Sequence, residues 1–159
     1  MILPDVNPLV YAFRADTPQH AMCRDWLKTV VASDVQFGLS KLTLSALVRI
    51  TTNRRSYPVV SSLEDAFGFC DDLLKQPHCR LVEPGEHHWE IFQRLCVETN
   101  TRGPDVTDAW IAALAIEWGC EWVTFDRDFL KFPGLKCTIL SPPNDLSPKI
   151  IGPPASPGR

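Results

Sequence analysis

Four aspartates occupy positions from which their carboxylates could act together on one substrate. Asp126 and Asp128 follow the apolar segment 122–125, which has the character of a β-strand. Asp5 follows a second apolar segment at the start of the chain, and Asp108 lies in the first turn of a strongly apolar helical segment. Carboxylates that follow parallel strands lie at the carboxyl edge of the sheet, where open α/β proteins bind their ligands.

The chemistry that such a group of acids supports is metal-dependent hydrolysis. Carboxylates within a few ångströms repel one another, and some take up protons unless a cation is present. Carboxylate oxygens suit Mg²⁺ or Mn²⁺, which keep water molecules that a substrate phosphate can replace. A bound ion lowers the pKa of its water and stabilises the charge that develops on a phosphodiester during in-line attack. We therefore predict that Asp5, Asp108, Asp126 and Asp128 hold Mg²⁺ or Mn²⁺.

Each of these aspartates also has an ordinary structural role open to it. Asp126 is placed to cap the helix that follows it, and Asp108 to complement a helix dipole. Asp5 is placed to cap the turn before Pro8. Taken singly, each position is more often structural than catalytic. The functional interpretation depends on their joint occurrence at one edge of the sheet.

Strands that alternate with helices would bring these acids together. Apolar stretches predict strands over residues 2–5, 35–39, 80–82, 122–125 and 137–140. Helical periodicity predicts helices between them, with Thr17 as N-cap and Pro18 as first residue of the second helix. A short helix is expected over 127–132. Because strands that alternate with helices pair in parallel, we predict an α/β sandwich.

The tryptophans are a second group of residues with two possible roles. Trp89, Trp110, Trp118 and Trp122 occupy apolar helical or strand positions. An aromatic side chain at such a position packs in a core more often than it stacks on a nucleic-acid base. We therefore predict that these four side chains pack in the core.

Length and composition favour one folded domain. A chain of 159 residues can bury a sizeable core but leaves little for a second one. Six of the last 18 residues are proline, with Ser, Gly and Asn between them. We therefore predict a domain over residues 1–141 and a disordered tail over 142–159.

Composition also excludes several classes of function. No apolar run approaches the roughly 18 residues of a membrane span, and the first residues lack a signal-peptide pattern. The net charge of −3 does not favour loose binding of polyanions, so any contact with nucleic acid must be local. The six cysteines are scattered without a C-x-x-C pair, which predicts reduced thiols and a cytoplasmic location.

Short motifs across residues 1–140 carry a resemblance to a known family. The principal motifs are Leu3-Pro4-Asp5-Val6-Asn7, Tyr11-Ala12-Phe13, Arg49-Ile50-Thr51-Thr52-Asn53, Val106-Thr107-Asp108-Ala109, Ala112-Ala113-Leu114-Ala115 and Thr124-Phe125-Asp126-Arg127-Asp128-Phe129. Each motif alone is weak, whereas their order and spacing are specific. In this order the chain resembles PIN-domain ribonucleases of the VapC toxin type, which pair with VapB antitoxins.

The resemblance implies a fold, an activity and partners. The fold is a PIN-like three-layer sandwich with a five-stranded parallel sheet in the order 3-2-1-4-5. The activity is endonucleolytic cleavage of RNA (tRNA or rRNA) that depends on Mg²⁺ or Mn²⁺, by the toxin of a type II toxin–antitoxin system. The implied partners are a second copy of the chain and a VapB-like antitoxin whose C-terminal segment covers the site.

The resemblance also assigns roles to individual residues. Asp5, Asp108 and Asp126 correspond to the metal-binding acids, and Asp128 to an additional ligand or a supporting acid. Asn7 fits a role in supporting these acids through hydrogen bonds.

Support and substrate contacts complete the expected site. Thr124 fits the same hydrogen-bonding role as Asn7. Arg54 and Arg55, which follow the third helix, are candidates for contact with RNA phosphates, although a solvated helix end is an equally good interpretation. Arg127 lies between two acids, where it would either contact substrate or pair with a carboxylate.

One departure from the family leaves rival functions open. Many relatives carry a glutamate in the third helix, where this chain offers Ser45 or Ala46. Either fewer carboxylates suffice or activity is weakened, so an RNA- or antitoxin-binding module that does not cut is the first rival. The second is a phosphatase-like hydrolase with Asp126 or Asp5 as nucleophile. Against it, Asn7 stands where a D-x-D motif would place its second aspartate.

Overall fold

The computed structural model describes residues 1–141, which contain one parallel β-sheet. Its strands are β1 (Ile2–Pro4), β2 (Phe37–Leu39), β3 (Cys79–Leu81), β4 (Glu121–Thr124) and β5 (Lys136–Ile139). The spatial order is β3-β2-β1-β4-β5, and every neighbouring pair is parallel. This confirms the predicted sheet. The disorder predicted for 142–159 lies outside the described residues.

The pairing of β1 with β4 brings the carboxyl ends of these two strands side by side. Leu3 lies opposite Trp122, and Pro4 lies opposite Val123. The backbone N–H of Asp5 continues the ladder with a 2.8 Å hydrogen bond to the carbonyl of Val123. Because strand order reverses between β1 and β4, their carboxyl ends form the crevice in which such sheets bind ligands.

Helices cover both faces of the sheet. They are α1 (Val6–Phe13), α2 (His20–Ala32), α3 (Lys41–Thr51), α4 (Leu63–Leu74), α5 (His88–Glu98) and α6 (Val106–Glu117), with 3₁₀ helices at Gly103–Asp105 and Arg127–Lys131. One core joins the sheet to α5 and α6, and a second joins it to α1–α4. The predicted three-layer sandwich is confirmed. None of the helices in residues 1–141 has the length and apolarity to cross a membrane.

Helix α6 lies close to the sheet because its packing face is made of small side chains. Ala109, Ala112, Ala113 and Ala115 are fully buried there. Alanine favours the helix and lets the backbone approach its neighbours closely. This packing fixes the first turn of α6, and with it Asp108, relative to the strands.

One local prediction was wrong. Helix α2 begins at His20, with Gln19 as its N-cap. Thr17 instead donates a 2.9 Å hydrogen bond to the carbonyl of Arg14, because the chain first completes a turn after α1. The short helix predicted after Asp126 is confirmed, as a 3₁₀ helix over Arg127–Lys131 that ends one residue earlier than predicted.

Core packing was predicted for four tryptophans and holds fully for one. Trp122, which belongs to β4, is completely buried. Trp89 is 57% exposed and Trp118 is 44% exposed, so the prediction was wrong for these two. The indole of Trp118 donates a 2.8 Å hydrogen bond to the carbonyl of Glu83, which holds it at the surface. Trp110 is half-buried.

Candidate active site

Asp5 is a buried carboxylate with both oxygens engaged. It follows β1 and caps α1, where Oδ1 accepts a 2.6 Å hydrogen bond from the backbone N–H of Val6. Oδ2 accepts a 2.6 Å hydrogen bond from the hydroxyl of Thr124, at the end of β4. Burial raises the pKa of Asp5, hydrogen bonds from Thr124 and Val6 oppose that shift, and the charge of Asp126 adds to it.

Asp126 caps the 3₁₀ helix that follows β4. Its Oδ1 accepts a 2.8 Å hydrogen bond from the backbone N–H of Asp128. Its own N–H donates a 3.0 Å hydrogen bond to the hydroxyl of Thr124. Asp126 is exposed, so its remaining lone pairs are open to a ligand.

Asp108 lies in the first turn of α6 and completes the group of acids. Burial raises its pKa to about 6, with further contributions from the charges of Asp126, Asp105 and Asp5. Lys131 opposes the shift, and its ammonium also lies 3.5 Å from the carboxylate of Asp105. A carboxyl with this pKa holds a proton in mildly acidic solution and gives it up near neutrality, as expected of a ligand that exchanges a proton for a cation.

The three acids line one cleft of about 300 Å³ at the carboxyl edge of the sheet. The other lining residues are Val6, Asn7, Leu42, Thr43, Ser45, Ala46, Arg49, Thr107, Ile111 and Phe129. Asp5, Asp108, Asp126 and Asn7 are thus brought together as predicted. Thr124 reaches the cleft through its hydrogen bonds to Asp5 and Asp126. We refer to this cleft as the acid cleft.

Other candidates lie outside the acid cleft. Asp128 and Arg127 are exposed on the 3₁₀ helix, and neither side chain lines the cleft. Arg54 and Arg55 are exposed in the turn after α3, also away from the cleft. The substrate contacts predicted for the three arginines therefore depend on RNA that reaches beyond the cleft, and Asp128 stays a predicted additional or supporting acid.

The donor set of the acid cleft fits a hard divalent ion. Within residues 1–141, no three His, Cys, Asp or Glu side chains form a ready-made metal-binding group. Mg²⁺ does not require one, since it is commonly held by one or two carboxylates while waters and substrate phosphates fill its other positions. Asp5, Asp108 and Asp126 supply oxygens of this type, and the raised pKa of Asp108 reflects in part a local excess of negative charge.

Helix α3 places a cation, Arg49, on the wall of the acid cleft. Ala46 and Arg49, one turn apart on this helix, both line the cleft. Among residues 1–141, Arg49 makes no ion pair, and the charges that shift the pKa of Asp108 do not include it. The sequence motifs alone assign no role to Arg49. The available signal was its spacing of three residues from Ala46, which places both on one helix face.

Comparison with known proteins identifies the family of this fold and site. The family profile of the PIN domain matches residues 2–135. The chain belongs to the PIN-domain family. Its relatives include Ribonuclease VapC25 of Mycobacterium tuberculosis, 37% identical over 136 residues that span 86% of this chain and 96% of that protein. Ribonuclease VapC31 of the same species is 35% identical over 136 residues, which again span 86% of this chain and 96% of that protein. This PIN-domain chain is therefore a member of the VapC ribonuclease family.

Solved structures share the fold of this PIN domain. VapBC2 from Rickettsia felis, solved bound to a DNA fragment from its promoter, superposes with a TM-score of 0.65 at 18% identity, covering 89% of this chain and 100% of that one. Mycobacterium tuberculosis VapC20 is described as a toxin that cleaves the sarcin-ricin loop. It superposes with a TM-score of 0.61 at 15% identity, covering 82% of this chain and 93% of that one. The predicted family and fold are both confirmed.

Proposed function

We propose that this PIN-domain protein is a metal-dependent endoribonuclease, the toxin of a type II toxin–antitoxin pair. The observation that carries the proposal is the convergence of Asp5, Asp108 and Asp126 on one cleft at the carboxyl edge of the sheet. Relatives named as ribonucleases at 33–38% identity support the reaction class. The phosphatase-like alternative lacks such support.

The proposed cofactor is Mg²⁺ or Mn²⁺, held by Asp5, Asp108 and Asp126. When bound, such an ion lowers the pKa of a water molecule and stabilises negative charge on the phosphodiester. Thr124 orients Asp5 and favours its ionised form through a 2.6 Å hydrogen bond. Asp128 remains a candidate for an additional or supporting acid, since its carboxylate is exposed two residues beyond Asp126.

Substrate contacts are proposed from the positions of four arginines. Arg49 lines the same cleft as the acids, where its guanidinium can bind a phosphate through two parallel hydrogen bonds. Arg54, Arg55 and Arg127 are exposed outside the cleft and are proposed to contact phosphates of the flanking RNA. These local cations would let a chain with a net charge of −3 contact RNA over part of its surface.

The proposed partners follow from the family and from solved complexes of relatives. Structures of VapBC complexes from Rickettsia felis and Salmonella typhimurium support a VapB-like antitoxin. We also propose a homodimer, a cytoplasmic location and a tRNA or rRNA substrate. Copurification with the product of a small neighbouring reading frame, and inhibition of cleavage by it, would support the antitoxin assignment.

A second candidate function is a binding module that does not cut RNA. The observation that favours it is Ala46, which lines the acid cleft at a position where many relatives carry a glutamate. With one acid fewer, the cleft would bind RNA or antitoxin yet hold the metal too weakly for hydrolysis.

Incubation of purified protein with total cellular RNA tests both candidates. We expect discrete fragments with Mg²⁺ or Mn²⁺, and none with chelator or with the Asp5→Asn variant. Asp34→Asn is the matched control, because it removes one exposed carboxylate far along the chain from the acids. Intact RNA with every metal, from folded protein free of antitoxin, would overturn the nuclease proposal in favour of the binding module.

A further inference from the structure

A second cleft adjoins the acid cleft and has a different character. It is open to solvent, has a volume of about 530 Å³ and is lined by Leu42, Pro84, Phe92, Val106, Thr107 and Trp110. None of these side chains is charged. Leu42 and Thr107 line both clefts, so the two share a wall. We refer to this second cleft as the aromatic cleft.

The geometry of α6 explains why the two clefts lie side by side. At about 100° per residue, Thr107 lies between Asp108 and Trp110 around the helix axis. Asp108 therefore faces the acid cleft, Trp110 faces the aromatic cleft, and Thr107 forms the ridge between them. A single turn of helix thus joins a carboxylate to an aromatic ring.

The aromatic rings are fixed by their own contacts. The ring centroids of Trp110 and Phe92 are 5.3 Å apart at an interplanar angle of 70°. Buried His88 supports Trp110, with ring centroids 4.2 Å apart. Nε2 of His88 also lies 3.0 Å from the carbonyl oxygen of Trp110. Trp110 is therefore anchored while part of it remains accessible, as a stacking surface requires.

We propose that the aromatic cleft binds an unpaired base of the RNA strand whose phosphate lies in the acid cleft. The inference rests on the proposed function of the acid cleft. An uncharged, aromatic-lined cleft suits a nucleobase and not a phosphate, and bases stack on such rings in single-stranded RNA recognition.

The test uses short fluorescent single-stranded RNA in the presence of chelator, so that binding is measured without cleavage. Each RNA is compared with copies in which one nucleotide at a time is abasic, which removes a base but keeps every phosphate. For the wild-type chain we expect one abasic position to weaken binding by roughly five- to a hundredfold. The remaining abasic positions should change binding much less.

Variants of Trp110 assign that effect to the aromatic cleft. Trp110→Leu should bind intact RNA as weakly as the wild type binds the critical abasic RNA, and should no longer distinguish the two. Trp110→Phe keeps a ring and should retain most of the discrimination. Phe67→Leu, which removes an exposed aromatic ring on α4, is the control and should behave as wild type. If Trp110→Leu does not fold, the wild-type abasic series decides alone.

The outcomes separate this inference from the proposed function. Cleavage of RNA with metal, combined with equal binding of all abasic RNAs, would overturn the base-binding inference and leave the nuclease standing. A folded Trp110→Leu variant that binds as wild type would overturn it as well. A Trp110→Leu variant that sediments as a monomer where the wild type is a dimer, yet responds to the abasic RNAs as the wild type does, would also overturn it. The aromatic cleft would then bind a second copy of the chain. Failure of the wild type both to bind and to cleave RNA would refute both proposals.

Discussion

The hydroxyl of Thr124 donates a 2.6 Å hydrogen bond to Oδ2 of Asp5, and both residues are buried. The same hydroxyl oxygen accepts a 3.0 Å hydrogen bond from the backbone N–H of Asp126. One side chain therefore connects the acid that follows β1 to the acid that follows β4. Burial raises the pKa of Asp5 and the hydrogen bond from Thr124 lowers it. Loss of this bond would therefore let the pKa rise further.

Replacement of Thr124 by valine should destabilise the fold and weaken metal binding. The variant keeps the shape of the side chain but leaves a buried carboxylate oxygen without its partner, which costs about 1–3 kcal/mol. Urea unfolding of the metal-free protein measures this loss. Thr124→Ser should retain most of the stability. Thr138→Val, which removes an exposed hydroxyl bonded to Glu121, is the control and should have little effect.

Metal binding should depend on pH through Asp108. Its pKa of about 6 means that protons compete with the metal below that pH, so apparent affinity should fall as pH drops from about 7 to about 5. Calorimetric titration with Mn²⁺ at several pH values measures the dependence. Asp108→Asn should bind metal weakly with a flatter pH profile. An unchanged profile in this variant would show that another group controls the proton.

The free energy of unfolding of the metal-free protein should decrease as pH rises, whereas the metal affinity increases. Asp108 titrates at about 6 in the folded chain against an ordinary 3.8, so the folded state holds more protons between these values. Its contribution to stability is therefore complete below about pH 4 and is lost as pH rises through about 6. Thermal unfolding with chelator should show this fall, and Asp108→Asn should reduce it. A curve equally steep in the variant would contradict the assignment.

Restoration of an acid on α3 should strengthen metal binding. Ala46→Glu would place a carboxylate on the wall of the acid cleft, which the three aspartates also line. Titration with Mn²⁺ should then give a higher affinity than the wild type has. Gln93→Glu adds the same charge at an exposed position on α5 and serves as the control. If affinity does not improve, position 46 is not part of the metal site.

Removal of the charge at Arg49 should weaken RNA binding and its salt dependence. Arg49→Met keeps much of the aliphatic side chain but cannot bind a phosphate, so the slope of log affinity against log salt should shrink by about 1. Arg24→Gln removes an exposed charge on α2 and should leave this slope unchanged. The double variant Arg54→Gln, Arg55→Gln should lose less RNA affinity than Arg49→Met does. Equal slopes in the wild type and all three variants would rule out these contacts.

The acid cleft could be predicted because it depends on strand order and sequence position. Asp5 and Asp126 each follow an apolar strand, and parallel pairing of those strands brings them together whatever the details of packing. Thr17 shows where such reasoning fails. Its local capping pattern is sound, but the turn that must close after α1 delays the next helix to His20.

Side-chain surroundings were harder to predict than backbone order. Trp118 ends a helical segment that is largely apolar in sequence. Its side chain nevertheless lies at the surface, where the indole N–H donates a hydrogen bond to the carbonyl of Glu83. Arg49 belongs to a recognisable motif, but its place on the cleft wall depends on how α3 is rotated against α1 and α4. Such rotations result from packing of many side chains at once, which local patterns do not record.

The hydrogen bond between Thr124 and Asp5 joins residues that are 119 positions apart in the chain. During translation, Thr124 leaves the ribosome 119 residues after Asp5, and Asp126 follows it. The nascent chain therefore carries an incomplete set of acids while that stretch is being made. A nuclease built in this way cannot attack RNA at the ribosome that is producing it until β4 has paired with β1.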